Sequence, residues 1–180
     1  MISKDIFTIP GFITRPILAE NTSDLQRLLV ECVDYCMLVD GRPPLATAAV
    51  SMVTDRPEGR TIDDKLLVGL YTIENELIGV LDAFRNYPKP ADWWIGLLLV
   101  APQFRGQGLG HRVFQAFRKW IQQQGARLIL LGVVEANENA LRFWQSEGFT
   151  ELDRQPARQF GNLSHVVITM QQELNHQGND

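Results

Sequence analysis

Residues Trp93 to Val100 are apolar at nearly every position, and three glycines follow before a helical stripe begins. No other stretch constrains the fold as strongly. An apolar run of this length predicts a strand buried on both faces. Behind it, Val113, Phe114, Phe117, Trp120 and Ile121 recur at helical spacing within Val113 to Gln124, and Gly125 ends that helix. Between strand and helix lies Phe104-Arg105-Gly106-Gln107-Gly108-Leu109-Gly110-His111. Glycine has no Cβ, so such a loop can turn sharply and approach a ligand closely. The helix start adds unpaired N–H groups and a positive dipole end, which together suit a phosphate or pyrophosphate. Leu128 to Val134 predicts a second buried strand. Strand, helix and strand then form a βαβ unit with parallel strands and a right-handed crossover.

Two familiar glycine loops do not fit. A dinucleotide fingerprint needs glycine where His111 stands and an acidic residue about 20 positions on. A P-loop needs Lys-Ser or Lys-Thr after Gly110. The pattern present, Arg105-x-x-Gly108-x-Gly110, resembles the pyrophosphate loop of the GNAT family of N-acetyltransferases. The resemblance continues through Asn137-Glu138-Asn139-Ala140-Leu141-Arg142-Phe143-Trp144 to Gly148-Phe149, which is similar to the family's second signature. It spans about Leu66 to Leu152 and implies an α/β fold. That fold is a mixed, mostly antiparallel sheet with one parallel pair and helices on both faces, and it uses acetyl-CoA as co-substrate.

Carried onto this chain, the resemblance implies that the two parallel strands splay apart. The backbones of Leu98 and Val100 then pair with the pantetheine arm, as an added strand would. Gly96 predicts a bulge in that strand. Arg105, Gly106, Gln107, Gly108, Leu109, Gly110 and His111 wrap the pyrophosphate, mostly through backbone N–H groups. Arg105 either adds charge toward a phosphate or braces the loop. His111, placed at the helix start, either faces a phosphate or faces solvent. Asn137 matches the asparagine that contacts the coenzyme arm, and it is also a good helix N-cap.

The acid and base of acetyl transfer are harder to place. Trp144 stands where many members carry a tyrosine acid, and an indole N–H does not readily transfer a proton. Trp93 and Trp94 stand where some members carry a glutamate base. The remaining candidates are Asp82, Asp92, Glu135 and Tyr87, with Tyr71 beside them, each more often structural than catalytic in such positions. An N–H near Leu97 or Leu98 would serve as oxyanion donor. The tryptophans would otherwise wall an acceptor pocket or pack the core. The resemblance places the acceptor against Tyr35 to Asp64, whose acidic side chains suit a cationic amine.

Upstream, the later part of Ile6 to Leu18 predicts a first strand. Ser23 and Gln26 form an S-x-x-Q capping box ahead of one helix carrying Leu25, Leu28, Leu29, Cys32, Val33, Cys36 and Met37, stopped by Gly41. Cys32 and Cys36 lack metal or redox spacing and are expected to be core residues. Leu45 to Val53 predicts a short helix and Asp55 to Asp64 a loop. Leu66 to Ile73 and Leu77 to Phe84 predict a hairpin. Asn137 to Gly148 predicts a helix, and Phe149 to Leu152 with Leu163 to Met170 a terminal antiparallel pair. His165 and His176 read as surface or strand residues, and 175–180 as a disordered polar tail.

At 180 residues the chain suggests a single domain spanning 1–180. With 17 basic against 21 acidic residues, its net charge of -4 argues against nucleic acid as a partner. No apolar stretch reaches the roughly 18 residues of a membrane span, and Met1 to Asp5 lacks a signal-peptide profile. A cytoplasmic location and no metal are expected, and a homodimer is left open. The leading expectation is transfer of acetyl from acetyl-CoA to a primary amine of a small molecule or protein, by direct attack in a ternary complex. The alternative is a CoA-binding module without efficient turnover.

Overall fold

The computed structural model describes residues 6–174; His176, the tail 175–180 and the first five residues lie outside them. Among the described residues, seven strands form one sheet in the order β1-β2-β3-β4-β5-β7-β6. They are β1 Ile13–Pro16, β2 Lys65–Tyr71, β3 Leu77–Arg85, β4 Asp92–Val100, β5 Leu128–Val134, β6 Thr150–Phe160 and β7 Leu163–Glu173. Neighbours are antiparallel except β4 and β5. A parallel pair needs a crossover element, here α4, Leu109–Gln122. Successive residues of a strand face opposite sides of the sheet. Trp93 packs edge-on against Phe117 and Trp120 of α4. Trp94 instead lines a cavity with Tyr35 and Leu38 of α2, Val33–Asp40. Helices therefore cover both faces, as the sequence predicts. The core runs through α4 (Phe114, Phe117, Ile121) and the central strands (Ile78, Leu81, Ile129, Leu131), all fully buried. Each such side chain stabilises the fold by about 1.5–3 kcal/mol.

Several boundaries differ from the sequence reading. The first long helix is two: α1, Thr22–Glu31, and α2, broken at Cys32 with φ -90° and ψ 32°. Cys32 is wholly buried, and its thiol lies 3.7 Å from the Val100 carbonyl of β4. Apolar periodicity runs straight through the break, so the spacing hides it. The Ser23–Gln26 capping box does not form, because α1 starts at Thr22 and Gln26 reaches elsewhere. Its Nε2 donates to the Leu45 carbonyl, and its Oε1 accepts from the Ala49 N–H, both at 3.0 Å. Gln26 thus caps α3, which runs Ala48–Thr54. Helix α4 begins at Leu109, so His111 is its third residue. The terminal hairpin is much longer than predicted, with β6 exposed from Thr150 to Gln159. Its tip reaches α2: Asn162 N donates to Asp40 O at 2.7 Å, and His165 Nε2 lies 3.0 Å from Val39 O. Cys32 and Cys36 are buried and free. Among the described residues no helix is long and apolar enough to cross a membrane.

Candidate functional site

Strands β4 and β5 pair only from Asp92↔Leu128 to Ile95↔Leu131. The cause lies on the other side of β4. There Asp82 pairs with Leu97 but Ala83 with Ile95, leaving Gly96 as an extra residue. Such a bulge bends the strand that carries it. Beyond it, Ala101 N–H donates to Ile78 O at 2.8 Å. Backbone direction alternates along a strand, so Leu99 also turns to β3, and Leu98 and Val100 turn away from it into the gap. The Val100 carbonyl already accepts from Arg105 Nε at 2.7 Å. The remaining edge amide groups have no strand partner, and buried groups of this kind need one.

The glycine loop closes the end of the gap. Gly106 (φ 74°) and Gly108 (φ 73°) take the left-handed conformation, and a Cβ at either would meet nothing within 4 Å. Their requirement is therefore conformational. Gly108 is the N-cap of α4 and offers no side chain to its N–H groups. The first intrahelical bond comes from Arg112 N to Gly108 O, 3.1 Å, which leaves the amides of Leu109, Gly110 and His111 without helical acceptors. At Gly110 a Cβ would meet the Phe143 ring at 3.5 Å, an ordinary packing contact. Gln107 turns back to donate to the Gln103 carbonyl at 3.0 Å. Arg105 is engaged by protein: its guanidinium holds both oxygens of Asp34 on α2, and this keeps the Asp34 carboxyl below its ordinary range. Of the two sequence readings of Arg105, this geometry is that of a brace.

His111 is largely exposed, as its solvent-facing reading has it, and it also has a partner within the protein. Its Nδ1 lies 2.8 Å from Oε1 of Glu147, a buried carboxylate that also accepts from Gln115 Nε2 at 2.8 Å. Toward an ionised carboxylate, which only accepts, Nδ1 is the donor, and His111 also lines the cavity. Asn137 caps α5, Glu138–Ser146, with Oδ1 accepting from Ala140 N at 3.1 Å, and its side chain also lines the cavity. Trp144 is buried in an aromatic cluster, edge-on to Phe114 at 5.4 Å, Phe143 at 4.9 Å and Phe149 at 5.1 Å.

These elements enclose a cleft of about 950 Å³ that passes through the strand gap. A second cleft, about 540 Å³, opens between α2, α3 and β3. The two share Tyr35, Gly96 and Leu97. Burial, with added repulsion from Cys36 and Asp40, pushes the Tyr35 phenol up to about 12, so it stays a donor.

Among the proton-transfer candidates, Asp82 lies in the wall of the second cleft. A Cβ built at Gly96 would stand 3.5 Å from its Oδ2, so the carboxylate lies beside the bulge. Burial pushes the Asp82 carboxyl up to about 6, although Lys65 pulls the other way. Lys65 Nζ, itself buried, sits 2.8 Å from Oδ1 and 2.9 Å from Oδ2, but is well directed only at Oδ2; Oδ1 lacks a hydrogen bond. The other candidates stand outside both clefts. Asp92 starts β4 at the far end from the loop. Glu135 pairs with Arg154 at the surface. Tyr87 meets Trp94 edge-on at 5.9 Å. Tyr71 is fully buried beneath Arg15. Sequence reasoning missed Lys65 and Glu147. Hairpin register would have found Lys65: Leu67 faces Asp82, so Lys65 and Asp82 share one side of the sheet.

Comparison with known proteins agrees with this geometry. The family model described as "Acetyltransferase (GNAT) family" matches residues 34–149. Among solved structures, an acetyltransferase from Thermus thermophilus is similar at a TM-score of 0.74 and 21% identity, covering 92% of this chain and 99% of that one. The ribosomal-protein-S18-alanine N-acetyltransferase from Escherichia coli gives 0.69 and 14%, covering 94% and 97%. A GCN5-related N-acetyltransferase from Kribbella flavida gives 0.67 and 20%, covering 91% and 98%. None of the curated proteins matches the sequence. A sheet opened by a bulge, a glycine loop at a helix mouth and a family match over most of the chain lead to one conclusion: this chain belongs to the GNAT family of acetyltransferases.

Proposed function

We propose that the protein transfers acetyl from acetyl-CoA to a primary amine, with both substrates bound together. The observation that carries this reading is the open edge of β4 beside uncapped helix N–H groups. An amide-bearing arm ending in a diphosphate matches both features. Acetyl-CoA, when bound, supplies the activated thioester. The loop Gly106 to Gly110 and the first amides of α4 hold the diphosphate. The edge amides of Leu98 and Val100 orient the arm, and Asn137 adds its side chain. Leu98 N–H faces the gap just past the bulge and stabilises negative charge growing on the acyl oxygen. The amine enters from the second cleft and attacks the acyl carbon. Asp82 accepts its proton as the N–C bond forms, and the C–S bond breaks to release a thiolate. A thiol of ordinary pKa, about 8.5, needs no dedicated acid to leave near neutral pH. That accommodates Trp144, whose place among aromatic rings suits packing.

The same tryptophan favours the rival reading, a coenzyme-binding module without turnover. Thiol release from acetyl-CoA over an amine panel decides between them. Release that depends on particular amines is expected. Coenzyme binding by calorimetry, with no release across the panel, overturns the transferase reading in favour of the module.

A further inference from the structure

The second cleft has a cation that the mechanism leaves unused. Its wall carries Asp40, Asp55 and Asp82 against Arg42, Arg56 and Lys65, three of each sign. Lys65 is bound to Asp82 and to the Asp55 carbonyl at 3.2 Å. Arg56 donates to the Thr54 carbonyl at 3.2 Å. Arg42 is half-buried, and its guanidinium has no hydrogen bond or ion pair among the described residues. It is not loosely held. Asn162 N and Nδ2 bond the Asp40 and Gly41 carbonyls at 2.7 and 3.3 Å, which pins the backbone before it. A Cβ at Gly161 would lie 3.1 Å from Arg42 Nε, so the β6–β7 turn packs directly on the side chain. A partly desolvated guanidinium is costly without an acceptor.

Resting on the transferase reading above, we infer that the acceptor is an amine that also carries a carboxylate, its nitrogen at Asp82 and its carboxylate forked by Arg42. The charge balance of the wall supports this. A zwitterion leaves the cleft neutral, whereas a diamine would bring two unmatched positive charges. Guanidinium is also the side chain best shaped to take a carboxylate through two parallel hydrogen bonds.

The test compares amino acids and dipeptides with their C-terminal amides, and with simple diamines, in the thiol-release assay. Wild-type kcat/KM should favour the free acid over its amide by about 10–100-fold, mainly through KM. Arg42→Gln should bring that ratio close to one, and Arg42→Lys should restore part of it. Coenzyme affinity by calorimetry checks that both variants are folded. If amides or diamines are preferred, or if the preference survives Arg42→Gln, this inference fails and the transferase reading stands. If the coenzyme binds but no amine is acetylated, the transferase reading fails and takes this one with it.

Discussion

Asp82 answers to two opposed forces, burial that raises its pKa and Lys65 that lowers it, and burial wins. The ionised form is the proton acceptor, so kcat/KM should climb as pH rises through about 6. Asp82→Asn should abolish that limb and lower the rate by about 10²–10⁴. Alone, it also leaves the buried Lys65 ammonium without its counter-ion, with the Asp55 carbonyl still accepting from it, costing about 3–5 kcal/mol. Adding Lys65→Met should recover most of the stability but not the activity. The same raised pKa has a thermodynamic signature. Between the ordinary value of 3.8 and about 6 the folded chain keeps a proton that the unfolded chain has lost. Asp82's contribution to stability therefore falls as pH rises across that window and levels off above it. Urea titrations at a series of pH values, with the double variant as control, measure this slope. Gly108 offers a cleaner contrast, because a Cβ there is unobstructed but its φ of 73° is left-handed. Gly108→Ala should cost about 1–2 kcal/mol of stability and spare coenzyme binding. Gly108→Glu should abolish binding, because it sets a carboxylate at the diphosphate. Equal coenzyme affinity in calorimetry for wild type and the glutamate variant would mean that the loop holds something else.

Among the elements, those with a buried face were legible from residue spacing. Strand β5 runs Leu128–Val134 as read, and Gly96 makes the bulge that a glycine inside an apolar strand suggests. Strand β6 was invisible beyond Leu152 because its side chains are exposed on both faces, which erases the two-residue hydrophobic period. The division of α1 from α2 was hidden for the opposite reason, since both halves bury apolar residues on one continuous period. Gln26 sits in a local capping motif, but tertiary contact claims it. Gln26→Ala should lose the α3 cap and about 1–2 kcal/mol in denaturant titration, with Gln26→Glu intermediate because it keeps one acceptor. The bulge gives an element-scale test of the proposed chemistry. Gly96→Val puts a branched side chain between Asp82 and the gap. It should lower kcat about 100-fold while coenzyme affinity holds; a fall in affinity alone would place the reacting groups elsewhere.

For the whole molecule, the two clefts meet at Tyr35, Gly96 and Leu97. The coenzyme side was legible because loop and helix are contiguous in sequence. The acceptor side was not, because it joins α2, α3, the β2–β3 hairpin and the β6–β7 turn, segments far apart along the chain. Strand β7, the last among the described residues, lies between β5 and β6 in the sheet. A ribosome must therefore deliver residues up to Glu173 before β5 finds its neighbour, and the open flank of β5 stays sticky until then. Stopping the chain before β7 removes a middle plank rather than trim. A product stopping at Gly161 should appear in the insoluble fraction of expressing cells; a soluble one with native circular dichroism would mean that β5 tolerates a bare edge.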